Sequence, residues 1–468
     1  MSKSNKITHK KHLVYLYVLA VALMSVIFGI NLGAMVSSKV RLINVFMLEI
    51  YNIDSIFNTF LIGALVGVFL GGRLAYDTGR VQVIIGSFVV GIFGNCASIL
   101  APTFSTLFIA EFSVGAAFGA YMLSTLCYIG EISPSKYRAT CSTLMGLFLT
   151  FGVLISIILK DVIPNWPLIV SSIFVILGLI NAALVYFLLP ESPRWLALTD
   201  HSNKALSVLI RIRSSSSEAA RELAAINESV LGEDRGIVLF FRNSVYRSLI
   251  WLMLFVVIIA HIGGMAILPY ESMELTRIYN ASIGKTNYFG ANEINFTLLL
   301  LAIIVAFIGN LVTTIFIDKI GRVKLLLGSS LVNIFAVTCL FLLNLKLFWK
   351  IDPIVMSSLL ALFVFSSVIF ANTFLFAVLP ELLPAKGREL GLCIILMTNI
   401  ALLMLGIYFF EDGLHRFGVL SVLSLFVFAS VALYILIYRT LPETKGRLLE
   451  SMENAIFNAR SLKVLKYK

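Results

Sequence analysis

Long runs of apolar residues separated by short polar connectors fill most of this chain. A helix needs about 20 largely apolar residues to cross a bilayer, because its backbone polar groups must be satisfied within the segment. Twelve runs meet this requirement, and we predict spans at residues 13–36, 56–76, 81–101, 103–128, 141–160, 166–189, 249–270, 296–317, 324–345, 354–380, 389–411 and 417–439.

One long connector separates the sixth span from the seventh. Its apolar residues recur at helical spacing, which predicts short amphipathic helices rather than an extended linker. The expected fold class is therefore an all-α membrane protein with twelve transmembrane helices in two bundles. We predict a first six-helix bundle, a cytoplasmic connector, a second six-helix bundle and a cytoplasmic tail, at residues 1–189, 190–248, 249–440 and 441–468.

The composition excludes most other classes of protein. The chain is 59% hydrophobic and 13% charged, with a mean hydropathy of +0.97, which is not a soluble composition. Its net charge of +11 is spread over short connectors, so no patch for nucleic acid is expected. The five cysteines lie inside apolar runs without metal-binding spacing. We find no catalytic set, so no enzyme activity, cofactor or metal is expected.

The basic residues predict the orientation in the membrane. Lysine and arginine accumulate in cytoplasmic segments, and 28 of the 36 lie on the side of the spans where both termini would be. We therefore expect a multi-pass protein with both termini in the cytoplasm, and we take the plasma membrane as its expected location.

The two predicted halves repeat three short motifs. Glu131 and Arg138 after span four correspond to Glu381 and Arg388 after span ten, at an offset of 250 residues. The two other pairs have offsets of 242 and 252, and they are Asp77-Thr-Gly79-Arg80 with Asp318-Lys-Ile-Gly321-Arg322, and Pro190-Glu191-Ser-Pro-Arg194 with Pro442-Glu443-Thr-Lys-Gly-Arg447. These offsets indicate a duplicated six-helix unit, which is common in secondary transporters.

These motifs together resemble the sugar porter family of the major facilitator superfamily. The resemblance rests on the runs 190–196 and 442–447 and on the two Glu-x-x-Pro-x-x-x-Arg blocks, and the motifs cover almost the whole chain. The tail and the connector also look like the glucose-transporter and insect trehalose-transporter branches. The resemblance implies a transporter of a hexose or a trehalose-like disaccharide that works by alternating access, with the lipid bilayer as its surroundings.

The resemblance also implies a conformational latch, a set of ion pairs that ties one bundle to the other on the cytoplasmic side. Arginine and carboxylate side chains form bidentate, charge-assisted bonds that suit this role. The expected latch residues are Asp77, Gly79, Arg80, Glu131, Arg138, Glu191, Arg194, Asp318, Gly321, Arg322, Glu381, Arg388, Glu443 and Arg447.

One latch position departs from the family pattern. Asp318 lies three residues before Gly321, whereas Tyr76 occupies the corresponding place before Gly79 and Asp77 lies one residue later. One step along a helix rotates a side chain by about 100°, so Asp77 is not expected to make the usual pair.

The central binding site of the family is only partly present. Gly264 and Tyr270 align with the family's span-seven motif, which puts Ala260 and His261 at two glutamines and Ala266 at an asparagine. Phe376 takes the place of a tryptophan, Gly146 that of a glutamine, and Asn399 matches an asparagine. An ionisable group at membrane depth is by default a functional hypothesis. The predicted substrate-binding residues are His261, Gly264, Tyr270, Phe376, Asn399 and Asn31.

Two further positions bear on coupling. Asn31 in span one stands where proton-coupled members have an aspartate, which favours facilitated diffusion. Glu111 in span four stands where members usually have an arginine, and as a buried carboxyl it is a candidate proton site. A proton-coupled sugar symporter, a transporter of another small polar solute and a non-transporting sugar sensor are therefore alternatives.

Two features of the spans complete the prediction. Gly63, Gly67 and Gly71 in span two recur every fourth residue, as do Gly115 and Gly119 in span four, which predicts close helix packing. Asn280 begins an N-glycosylation sequon in a predicted outer loop.

Overall fold

A computed structural model describes residues 3–37, 51–101, 103–160, 162–163, 165–213, 215–230, 236–266, 291–345, 353–447, 449 and 452. Every regular element within these ranges is a helix. The first half contains the helices Lys3–Ser37, Tyr51–Asp77, Arg80–Ile99, Phe104–Ile132, Arg138–Leu159 and Trp166–Leu188. The connector contains the short helices Pro193–Leu198, Ser202–Ile212, Ser216–Val230 and Gly236–Arg242.

The second half has the same sequence of long helices, with two interruptions. Its helices are Ser244–Ile262, Ala291–Ile320, Arg322–Asn344, Pro353–Ala371, the π-helix Asn372–Val378, Leu379–Leu382, the 3₁₀ turn Ala385–Gly387, and Arg388–Thr440. Span ten therefore runs through a π-helical stretch. The last range, Arg388–Thr440, comprises both span eleven and span twelve. The backbone leaves the helical conformation within this range at Gly418, where φ is 78°.

Twelve stretches among the described residues are long and apolar enough to cross a membrane, which confirms the predicted number. Most predicted boundaries lie within a few residues of the described helices, and spans four and seven show two of the larger differences. Span four continues to Ile132 instead of residue 128. Span seven ends at Ile262 instead of residue 270, because Gly264 has a φ of +74° and ends the helical path.

Large apolar side chains cover the outside of the helices, as contact with lipid requires. Phe93 is 66% exposed, Phe187 84% and Phe428 75%. In water such a surface would be a strong drive to aggregate, so the described fold belongs in a bilayer.

Spans two and four pack through their glycines, as predicted. A Cβ at Gly63 or Gly67 would overlap the backbone of Phe112 or Ala116, and a Cβ at Gly115 would overlap the backbone of Phe60. Helices in lipid associate by such close packing, because lipid tails give them no hydrophobic drive.

The turns between spans two and three, four and five, eight and nine, and ten and eleven lie at the same end of the helices as the long connector. We call this the connector end. It holds the repeated motifs of both halves.

Gly67→Ala is expected to destabilise the protein by about 1–3 kcal/mol, since the new methyl group overlaps the Ala116 carbonyl and forces the helices apart. Thermal unfolding of the solubilised protein would measure the change. Gly86→Ala is the matched control, because a Cβ there meets nothing within 4 Å. Equal melting temperatures for the two variants would contradict this account of the packing.

Candidate functional site

Arg80 and Glu131 form a buried ion pair at the connector end of the first half. The Arg80 Nε lies 3.1 Å from Glu131 Oε2, and Nη2 lies 3.1 Å from Oε1, which is a bidentate arrangement. The Ser192 hydroxyl donates a further hydrogen bond to Glu131 Oε2. Both charged side chains are completely buried, so each depends on the other to remain ionised away from water.

Glu191, a predicted latch residue, caps the helix of span three. Its carboxylate accepts hydrogen bonds from the backbone N–H groups of Arg80, at 3.0 Å, and Val81, at 3.1 Å, which begin span three. Burial raises the pKa of Glu191, and the N–H of Ser192 partly opposes this shift. A Cβ at Gly79 would lie 2.6 Å from Glu191 Oε2, and Gly79 has a φ of +111°, so a glycine is required there.

The second half has the corresponding ion pair, hydroxyl donor and helix cap. Arg322 Nε and Nη2 lie 3.1 and 2.8 Å from the Glu381 carboxylate oxygens, and the Thr444 hydroxyl donates to Glu381 at 2.5 Å. Glu443 accepts from the backbone N–H of Arg322 at 3.0 Å, and Gly321 also has a φ of +111°. Glu443, like Glu191, is therefore a helix cap.

The halves differ at the position of the missing aspartate. Arg322 Nη1 lies 2.9 Å from Asp318 Oδ1. In the first half Tyr76 takes that place, and Arg80 Nη1 donates instead to the backbone carbonyl of Ala75 at 3.1 Å.

Asp77 lies outside the ion-pair cluster, in line with its displaced position in the sequence. It pairs with Arg73 of its own helix at 2.8 Å, and both side chains are exposed. The cause is the one-residue displacement, which turns the carboxylate away from Arg80.

Ion pairs and hydrogen bonds of buried side chains join the two halves at the connector end. Arg80 Nη2 binds Glu389 Oε1, and Arg388 Nη1 lies 3.1 Å from Glu131 Oε1. Thr140 donates to Asp318 Oδ2 from its backbone N–H, at 2.9 Å, and from its hydroxyl, at 2.7 Å. We call Arg80, Glu131, Arg388 and Glu389 the ion-pair ring.

Glu389 is the member of this ring that the sequence analysis missed. It is 5% exposed, and it gives Arg80 a second carboxylate in place of the one absent at Tyr76. The available signal was the pair Arg388-Glu389, where the first half has Arg138-Ala139.

The remaining predicted latch arginines lie around the ring. Arg138 Nη1 donates to the Arg447 carbonyl at 3.4 Å, which links the halves weakly. Arg194 is buried in the connector, where its backbone N–H donates to Ser192 Oγ at 3.2 Å. Arg447 Nη1 lies 3.8 Å from the sulfur of Met452.

Arg213 and Glu222 form a largely buried ion pair within the connector, and Arg213 also contacts the end of span four. Arg213 binds both oxygens of Glu222, at 2.6 and 2.7 Å, and donates to the Ile132 carbonyl at 2.9 Å. Burial raises the pKa of Glu222, but the hydrogen bonds and charge of Arg213 outweigh it and leave that pKa below its usual value. The contact between Arg213 and the Ile132 carbonyl thus joins the connector helices to the end of span four.

His261 lies buried in span seven. Its Nδ1 contacts the Val257 carbonyl at 2.9 Å, while Nε2 has no hydrogen-bond partner in the described part of the chain. The ring lies against the backbone of Asn399 in span eleven, so the structure brings these two predicted residues together.

The other predicted central residues are more scattered. Gly264 lies just beyond span seven, where a Cβ would be 2.7 Å from the Phe426 ring. Phe376 is partly buried against the main core, and Asn399 is half-buried. Tyr270 and Asn280 lie outside the described residues.

Near the opposite end of the first half, Asn31 makes a neutral pair. Its Nδ2 donates to Asn95 Oδ1 at 3.0 Å, and Asn95 donates to the Gly91 carbonyl at 2.9 Å. Glu111 is 9% exposed, and its Oε2 has no hydrogen-bond partner among the described residues.

A second polar group at membrane depth was not predicted. Asn310 in span eight donates to the Thr150 hydroxyl in span five at 3.1 Å and to the Gly146 carbonyl at 3.4 Å. Asn372 in span ten is buried against Gly146. Their only sequence signal was asparagine inside an apolar run.

Comparisons with known proteins agree with this arrangement. The family model described as sugar (and other) transporter matches residues 18–456. The galactose-proton symporter of Escherichia coli K12 is 25% identical over 449 residues, 94% of each chain. The glucose transporter GlcP of Staphylococcus epidermidis is 28% identical over 413 residues, 85% of this chain and 86% of the relative.

A solved structure shows the same fold. The proton:xylose symporter XylE bound to 6-bromo-6-deoxy-D-glucose, a major facilitator superfamily protein, superposes with a TM-score of 0.80 at 19% identity, over 95% of this chain and 99% of that one. The expected fold class is thus confirmed.

Glu389→Gln is expected to loosen the connector end, since it removes a buried carboxylate that joins the halves. Cys393 is a native reporter, because it is buried with its sulfur 3.8 Å from the Val68 carbonyl of the other half. Maleimide labelling of Cys393, located by peptide mass spectrometry, is expected to become about tenfold faster.

Asp77→Asn is the matched control, since Asp77 makes an exposed ion pair at the same end of the protein. Its labelling rate is expected to equal that of the wild type. Unchanged labelling in folded Glu389→Gln would mean that the ion-pair ring does not hold the halves together.

Proposed function

This chain belongs to the sugar (and other) transporter family, whose members are transporters and not enzymes, and we propose that it moves a monosaccharide by facilitated diffusion with alternating access. The observation that carries the proposal is the ion-pair ring. It joins the two halves at one end only, so its opening and closing can expose a central site to one side of the membrane.

The connector end is the cytoplasmic end in this proposal, because most lysines and arginines lie there. The described conformation is then closed to the cytoplasm. The moving bodies are the two six-helix halves, residues 1–189 and 249–440, and the membrane is the plasma membrane. Breaking the Arg80–Glu389, Arg388–Glu131 and Thr140–Asp318 contacts lets the halves separate at this end.

A monosaccharide is the substrate class best supported. The relatives named above are a galactose and a glucose transporter, and central polar side chains can replace the water that a sugar loses. The His261 ring lies beside the backbone of Asn399, and its Nε2 makes no geometrically defined hydrogen bond among the described residues. We assign these two residues to sugar binding and Phe376 to apolar contact with the sugar ring.

Proton-coupled uptake is a second candidate function that is supported at least as well, because the galactose relative is a proton symporter and because Glu111 favours it. The neutral Asn31–Asn95 pair supports facilitated diffusion, because it supplies no acidic group in span one. Glu111, however, is a buried carboxylate whose Oε2 lacks a hydrogen-bond partner among the described residues. An acidic group in this setting is suited to binding and releasing a proton.

Uptake of labelled glucose, galactose, arabinose and trehalose into liposomes that contain the protein tests the main proposal. Saturable uptake of at least one monosaccharide is expected. His261→Ala and Asn399→Ala should each raise KM about tenfold through lost hydrogen bonds, whereas Ser172→Ala, on an exposed face of span six, should not. Folded wild-type protein that takes up none of these sugars would refute transport and favour a sensor or another solute.

The same liposomes with and without an inward proton gradient distinguish the two coupling modes. Facilitated diffusion predicts equilibration that ignores the gradient. If Glu111 carries a coupled proton, the wild type accumulates sugar, while Glu111→Gln loses accumulation but keeps sugar exchange at equal concentrations. Accumulation that persists in Glu111→Gln would exclude Glu111 as the proton site.

A further inference from the structure

Span ten changes from α-helix to π-helix at Asn372. A π-helical stretch alters which side chains face inward and occurs frequently at functional sites. Asn372 lies ten residues from the end of the span at Leu382, or about 15 Å along the helix. This is about half the thickness of the hydrocarbon core, so Asn372 lies near the middle of the membrane.

The side-chain amide of Asn372 has unused hydrogen-bonding capacity. The residue is only 2% exposed, yet neither Oδ1 nor Nδ2 has a hydrogen-bond partner among the described residues. Buried polar groups are normally paired, because leaving them unpaired is costly. An amide offers two donor hydrogens and an acceptor oxygen, so this one requires a partner that the described chain does not provide.

Asn333 in the same half shows what a purely structural asparagine looks like. Its Nδ2 donates to the hydroxyls of Ser366, at 3.3 Å, and Ser367, at 3.2 Å, and its Oδ1 accepts from Ser430 at 2.9 Å. Both residues are buried in apolar helices. The difference is that Asn333 lies within one half, whereas Asn372 lies between the halves.

Gly146 of the first half provides the space for Asn372. A Cβ at Gly146 would lie 2.7 Å from Asn372 Oδ1, so any larger residue would displace the amide. Thr150 and Asn310 join spans five and eight one turn away along span five. Polar groups from both halves thus meet at the depth where a solute must pass.

We propose that Asn372 binds the transported sugar, with Nδ2 donating to one ring hydroxyl and Oδ1 accepting a hydrogen bond from the adjacent hydroxyl. Two neighbouring hydroxyl groups match the side-by-side donor and acceptor of an amide. The inference rests on the proposed function and assigns a binding residue to it. Asn372 is then a specificity-determining residue, and Gly146 is the position that makes room for it.

Monodeoxy glucose analogues, each lacking one hydroxyl group, provide a test. In liposomes, the wild type is expected to show a KM about tenfold higher for the analogues that lack a hydroxyl bound by Asn372. Asn372→Leu, which keeps the volume but removes both polar atoms, should raise KM for glucose about tenfold and no longer distinguish those analogues. Discrimination at the other ring positions should remain.

Asn344→Leu is the matched control, because it makes the same exchange at the end of span nine, away from the halves' interface, and should keep wild-type values. If Asn372→Leu does not fold, Gly146→Ala replaces it, since its methyl group displaces the Asn372 amide and should cause the same selective loss. A structural role predicts instead that KM rises equally for glucose and every analogue, and that outcome, or unchanged kinetics, overturns the proposal.

Sugar-dependent thermal stabilisation of solubilised protein separates this inference from the proposed function. If wild-type liposomes show no uptake, the proposed transport fails. Stabilisation by glucose that disappears in Asn372→Leu would still support the binding role, and stabilisation that is equal in both proteins would overturn it.

Discussion

A guanidinium group that is completely buried where two helix bundles meet must be matched by carboxylates, and Arg80 imposes this constraint on the whole connector end. Glu131 meets it from within the first half and Glu389 from the second. Because Glu131 also binds Arg388, separating the halves leaves buried charges without partners unless water enters. Separation of the halves therefore requires water to enter this site, so the conformation of the protein depends on hydration there.

The duplicated motifs serve two different purposes that the sequence does not distinguish. The carboxylates of Glu191 and Glu443 accept hydrogen bonds from backbone N–H groups at the N-termini of spans three and nine. These contacts lie within each half. The carboxylates of Glu131 and Glu389 act between the halves. Moving apart at the connector end would therefore break the second set and leave the first set intact, so each half keeps its shape while it moves.

The two halves differ at the position where the second half has Asp318 and the first half has Tyr76. Asp318 pairs with Arg322 and binds Thr140 of the other half, but Tyr76 has no carboxylate to offer Arg80. Glu389 supplies it from across the interface. Arg80 therefore has a contact between the halves where Arg322 has a contact within its own half. At membrane depth the pattern is similar, since Gly146 leaves a space that Asn372 fills from the opposite half.

The apolar runs by themselves determined the twelve spans, because the length of a membrane helix follows from bilayer thickness and from the need to satisfy its backbone. The repeated motifs likewise located Arg80, Glu131, Arg322 and Glu381 at one end. Only the tertiary structure decided their partners. Whether Glu191 caps a helix and whether Asp77 turns away from Arg80 depend on the rotation of each helix. Whether Glu389 or Asn372 reaches across the interface depends on contacts between residues more than 200 positions apart. Hydrophobic periodicity carries no information on such pairings, because the pattern of apolar residues around a buried charge or amide is the same whichever partner the group has.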